Sequence, residues 1–237
     1  MDQKLIIDWT QMPTYNTIMS IAVGAALISL ARFVSALHKK TILQTDAWAI
    51  SFAVSGIILF ITGAHMSLTW PLAKYFPFDN IIFGETSFAF GVLLLVASFY
   101  LWKKGNFLAS EENPAEVFGK LTTPLSTMIL GLGLALIAIA CAGISFQLFA
   151  APPEEPISGK FAQYPWVEAI AMSGLFALVG VGALLFPLSM KSFSSADPLN
   201  FIQKTMTSVW LISGYSFLFF GALNFYTHIG LIINTMN

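Results

Sequence analysis

Four side chains in this sequence could together do chemistry that its apolar background cannot: His65, Glu85, Glu168 and His228. Each lies in or at the start of a long apolar run, whereas almost every other charge falls between such runs. Glu85 sits in Ile82-Phe83-Gly84-Glu85-Thr86-Ser87-Phe88-Ala89-Phe90-Gly91. Glu168 sits in Pro165-Trp166-Val167-Glu168-Ala169-Ile170-Ala171-Met172-Ser173-Gly174, and a glycine lies six residues after each acid. An ionisable group inside a membrane run is a functional candidate by default, because burying it is costly. Two imidazoles and two carboxylates form a donor set for a transition metal. Imidazole suits copper, zinc and iron, and carboxylate suits the harder states of iron or manganese. His65 and His228 could instead be the axial ligands of a b-type haem. Asp8, Asn16 and Asn224 lie close enough in the chain pattern to orient such ligands through hydrogen bonds. No Glu-x-x-His pair occurs, so the di-iron bundle signature is missing. The same groups have plainer uses. A histidine near a helix end can bond a neighbouring helix or face headgroups, and a protonated glutamic acid can be interhelical glue.

The elements that must position these groups follow from composition. Of 237 residues, 57% are hydrophobic and 10% charged, against about 25% charged in a soluble domain. Six apolar runs, at 16–37, 48–68, 81–102, 122–149, 167–189 and 208–233, are each long enough to cross a bilayer as a helix, which takes about 20 residues. The expected fold is all-α, a polytopic membrane helix bundle forming one integral membrane domain over 1–237. The net charge of −1 and the lack of a basic stripe give no case for nucleic acid. The single Cys141 excludes a disulfide within the chain.

Basic residues set the expected orientation. Arg32, Lys39, Lys40, Lys103, Lys104, Lys120, Lys191 and Lys204 fall on one side, and Lys4, Lys74 and Lys160 on the other. The positive-inside rule places the first set in the cytoplasm and both termini outside. His65, Glu85, Glu168, His228, Asn16 and Asn224 then all fall toward the outer leaflet, with Asp8 in the adjoining outer segment. Trp70, Trp102, Trp166 and Trp210 fall near run ends and read as an interfacial belt.

An internal two-helix repeat is also expected. Asn113-Pro114 and Asp197-Pro198 each pair a capping residue with a proline, the usual way to open a helix, and each reaches a lysine seven residues on. Each connection therefore reads as a short surface helix. The copies would span 41–121 and 122–204, with a third split between 205–237 and 1–40.

Asp8-Trp9, Met12-Pro13-Thr14-Tyr15-Asn16, Gly63-Ala64-His65-Met66-Ser67-Leu68-Thr69-Trp70-Pro71-Leu72 and Asn80-Ile81-Ile82-Phe83-Gly84-Glu85 carry a family resemblance. Over about the first hundred residues the chain resembles an uncharacterised family of multi-pass membrane proteins from bacteria and archaea, defined by a domain of unknown function. The resemblance implies a polytopic protein of a prokaryotic cell membrane and no particular activity.

The expected function is that of an integral membrane protein with a metal (copper, iron or zinc) or haem site in the outer leaflet, serving as a subunit of a redox or respiratory complex. Its partners would be the lipid bilayer, other membrane subunits and the quinone pool. The rival expectations are a proton-coupled transporter, for which a repeat and intramembrane carboxylates argue, and a structural subunit with no cofactor of its own.

Overall fold

The computed structural model describes residues 5–41 and 44–236. Seven helices account for most of it: α1 Asn16–His38, α2 Thr45–Leu68, α3 Thr86–Ser110, α4 Pro114–Thr122, α5 Ser126–Phe146, α6 Pro165–Lys191 and α7 Phe201–Thr235. No strand occurs among the described residues. A π-helical stretch, Asn80–Glu85, leads directly into α3. A 3-10 turn, Thr123–Leu125, joins α4 to α5, so that these two make one span. The six resulting spans are long and apolar enough to cross a membrane, and the chain is a multi-pass membrane protein.

Lipid-facing stripes are visible on the outer helices. Ile50, Val54, Ile57 and Ile61 recur every three or four residues along α2 and are all exposed. Large apolar side chains can stand exposed in this way when the solvent around them is hydrocarbon. The interior side is knit around α1, where Phe33 meets Trp48, Phe52 and Phe118 edge-on at 5.5, 5.7 and 5.5 Å.

The spans pack as three antiparallel pairs, α2 with α3, α5 with α6 and α7 with α1. Glycines let the paired backbones touch. A Cβ on Gly24 would stand 2.5 Å from the Leu218 nitrogen, one on Gly63 would overlap the Phe88 nitrogen, and one on Gly133 would stand 3.0 Å from the Leu184 nitrogen. Such close approach stands in for the hydrophobic drive that is missing between helices in lipid. The pairs then join through α6 with α7 and α1 with α2, whereas α3 and α5 do not form a packed pair. Ile82 and Phe83, just before α3, share a cluster with Ala140 of α5 and Phe176 of α6 at one end, and α4 meets α3 at the other, so the ring is left unclosed only between these ends.

The two ends of the bundle are tied differently. At one end both termini meet the loops. Ile7 donates to the Thr235 carbonyl at 3.2 Å, Trp9 Nε1 to Thr235 Oγ1 at 3.0 Å, and Lys74 N to the Gln11 carbonyl at 3.2 Å. We call this the terminal face. At the other, the connector face, Asn113 Oδ1 caps α4 and also accepts from Ser195 N at 2.8 Å, while Ser195 Oγ donates to the Leu37 carbonyl at 3.0 Å.

Three sequence expectations change here. The Asn113-Pro114 connector is a helix, as expected, but Asp197-Pro198 opens none. The cap is Asn200, which forms a reciprocal capping box with Gln203, and α7 runs unbroken from there. Trp70, Trp102 and Trp166 are exposed near span ends, but Trp210 is buried against Phe186 and is no belt residue. The fourth run ends at Phe146, because Gln147 turns left-handed at φ 52°.

Candidate functional site

The residues singled out from the sequence lie at or near the terminal face. The contacts of Gly63 with Phe88 and of Gly91 with Phe60 set the α2–α3 register and put His65 and Glu85 at nearly the same height. Both side chains are nevertheless exposed. Tyr15 Oη lies 2.7 Å from His65 Nδ1. Burial pushes the Tyr15 phenol up to about 12, so it stays protonated and can donate to Nδ1, leaving the proton of a neutral imidazole on Nε2. Glu85 has no hydrogen bond or ion pair among the described residues.

Glu168 stands in the first turn of α6, where a carboxylate complements the helix dipole. Its Oε2 accepts from Ala151 N at 2.6 Å and so ties the 147–164 loop to the helix. His228 Nε2 lies 3.9 Å from Glu155 Oε1. Burial, with the Glu168 charge nearby, holds the Glu155 carboxyl above the usual range. Asp8 caps the Trp9–Gln11 turn, and its hydrogen bonds from Thr10 and Gln11 hold its carboxyl below the usual range.

These groups therefore form two sets and not one: His65 with Tyr15, and His228 with Glu155, whose carboxyl also feels the charge of Glu168. Among the described residues, no three His, Cys, Asp or Glu side chains close around a point as metal ligands do. Sequence reasoning missed Tyr15 and Glu155. The run Pro152-Pro153-Glu154-Glu155-Pro156 carried the only available signal for Glu155, two acids held on a stiff proline frame. Asn80, named in the sequence only within the resemblance motif, is 1% exposed, and its carboxamide donates to the Met66 carbonyl at 2.7 Å and accepts from Ala73 N at 3.0 Å.

A cavity lies elsewhere, among the spans. Its volume is about 480 Å³, within the range of about 300–1,000 Å³ typical of ligand sites. All three helix pairs line it, and α4 lies across its connector end through Phe118, Leu121 and Thr122. Its walls on the unclosed side come from α3 and α5, and Val96 and Leu125 there are both exposed and part of the lining. The cavity thus opens sideways, toward lipid. No Asp, Glu, Lys, Arg or His side chain lines it. Most of its polar residues lie toward the terminal face, Asn16 and Ser20 on α1, Thr86 and Ser87 on α3, and Asn224 on α7, while Tyr100 and Thr122 lie toward the connector face.

Neither a curated protein nor a solved structure matches the chain. The family described as "Protein of unknown function (DUF981)" matches residues 12–230. That match reaches into all six spans and includes Asn16 and Asn224 at the polar end of the cavity, and so the chain belongs to the DUF981 family.

Proposed function

We propose that this is a multi-pass protein of a prokaryotic cell membrane that takes one elongated apolar molecule from the bilayer into its central cavity. The observation that carries this reading is the cavity itself: apolar, about 480 Å³, and unclosed between α3 and α5. An apolar wall with no atoms against it forfeits its dispersion contacts, and this cavity is open to hydrocarbon, so a hydrocarbon occupant is the consistent state. A quinone or an isoprenoid chain belongs to this chemical class.

The termini are placed outside the cell on the balance of eight Lys and Arg against three. The pairing of α2 with α3, α5 with α6 and α7 with α1 supports an architecture of three two-helix copies, the third cut open at the termini. A metal centre has less support, because among the described residues no three His, Cys, Asp or Glu side chains close around a point, and a haem has less, because His65 and His228 meet different partners. A proton-coupled carrier also has less, since no carboxylate lines the cavity.

The test is solvent extraction of detergent-purified protein followed by mass spectrometry. One chain-like molecule should be retained at close to one per protein. Leu132→Trp, which fills the cavity from α5, should lower that retention severalfold. Equal retention by wild type and Leu132→Trp, or none by either, would overturn the proposal.

A further inference from the structure

We infer that the cavity selects a neutral lipid whose head is a hydroxyl group, held between Asn16 and Asn224, with its single chain running toward the connector face. The inference rests on the cavity reading above and adds the identity of the head. Its first ground is an orphan atom. Asn16 Oδ1 is buried and has no hydrogen-bond partner in the protein, and buried polar atoms are otherwise almost always paired. The other polar side chains of the lining are largely provided for. Ser20 Oγ donates to the Phe217 carbonyl at 2.8 Å, Thr86 Oγ1 to the Ile82 carbonyl, and Thr122 Oγ1 to the Phe118 carbonyl at 2.9 Å. Trp210 Nε1 is also unpartnered, but it is pressed against Gly182 of α6, where a Cβ would overlap it.

The second ground is register. Gly24 meets Leu218 and Gly221 meets Ile21 across the antiparallel α1–α7 pair. That alignment sets Asn224 level with Ile18, about 3 Å of helix rise from Asn16. Two carboxamides thus flank the same end of the cavity, and Asn224 is itself 9% exposed. A carboxamide offers both donors and an acceptor. The small group that answers both is a hydroxyl, whereas a quinone carbonyl or an ether only accepts.

The third ground is charge. A phosphate, carboxylate or ammonium head at this depth would be desolvated with no opposite charge beside it, because no ionisable acid, lysine, arginine or histidine lines the cavity. A charged head is therefore excluded. Below the asparagines the lining is apolar along α3 from Phe90 to Leu101, apart from Tyr100, a rise of about 16 Å that fits one extended chain.

The experiment uses two photoactivatable probes of identical alkyl chain, a primary alcohol and its methyl ether, offered to the full-length protein in liposomes. The alcohol should label Phe90, Leu132 or their neighbours with an apparent affinity about tenfold better than the ether, as expected for one or two hydrogen bonds. In Asn16→Leu and Asn224→Leu, labelling should persist and the preference should fall toward one. Equal labelling of wild type by both probes would overturn the hydroxyl inference and leave the cavity reading standing. Absence of cavity labelling by either probe would overturn both. The wild-type comparison of the two probes needs no variant, so a variant that fails to fold does not remove the test.

Discussion

Asn80 opens the π-helical stretch before α3, yet its one carboxamide fastens two segments, the end of α2 through Met66 and the 69–79 loop through Ala73. Asn80→Ala would leave a buried N–H and a buried carbonyl without their partner, at a cost of roughly 2–4 kcal/mol. A lower melting temperature of the detergent-purified variant would report it. Its neighbour Asp79 gives a second prediction. Burial raises the Asp79 carboxyl from 3.8 to about 7. With the loop docked, the group holds its proton up to about pH 7; with the loop undocked, it loses it near pH 4. Docking therefore weakens as pH rises between those values and is constant on either side. Once the intrinsic base catalysis of exchange is divided out, protection against hydrogen exchange across 69–80 should be lower at pH 8 than at pH 5, and Asp79→Asn should flatten that difference in protection. At this scale heights were legible from the sequence but directions were not. His65 and Glu85 do lie level on adjacent helices, but which way a side chain points depends on helix rotation about its axis. In a run apolar on all sides, no stripe records that rotation.

Helix existence was legible because membrane runs need only length and apolar content, and all six expected runs are helices of adequate length. Boundaries were less so. Asp197-Pro198 has the form of a helix start, but Asn200 and Gln203 cap each other's backbone, and the stronger reciprocal pair sets the first turn of α7. Which glycines matter was also hidden, since the same residue type serves contact and open space alike. Gly24→Ala would push a methyl into the Leu218 and Gly214 backbones and should destabilise by about 1–3 kcal/mol. Gly131→Ala meets nothing within 4 Å and should be neutral, or stabilising by up to about 1 kcal/mol through helix propensity. Thermal melts of the two variants side by side would separate packing glycines from incidental ones.

At the scale of the whole molecule, the cavity was invisible in the sequence. Its walls are Phe, Leu and Val, residues that read alike whether they face protein, lipid or a void. The unclosed side is a property of α3 and α5 together, and no residue in either announces it. The consequence for stability is nevertheless specific. A molecule that binds the folded protein and not the unfolded chain adds about 2.7 kcal/mol at a hundred times its Kd. Extensive detergent washing should therefore lower the melting temperature, and adding back the extracted lipid should restore it in a concentration-dependent way. In Leu132→Trp, where indole occupies the space, washing should have little effect. If the wild-type melting temperature is indifferent to washing and add-back while bound molecules are demonstrably removed, the occupant contributes nothing to the fold. The cavity would then be a crevice that bulk lipid fills without preference.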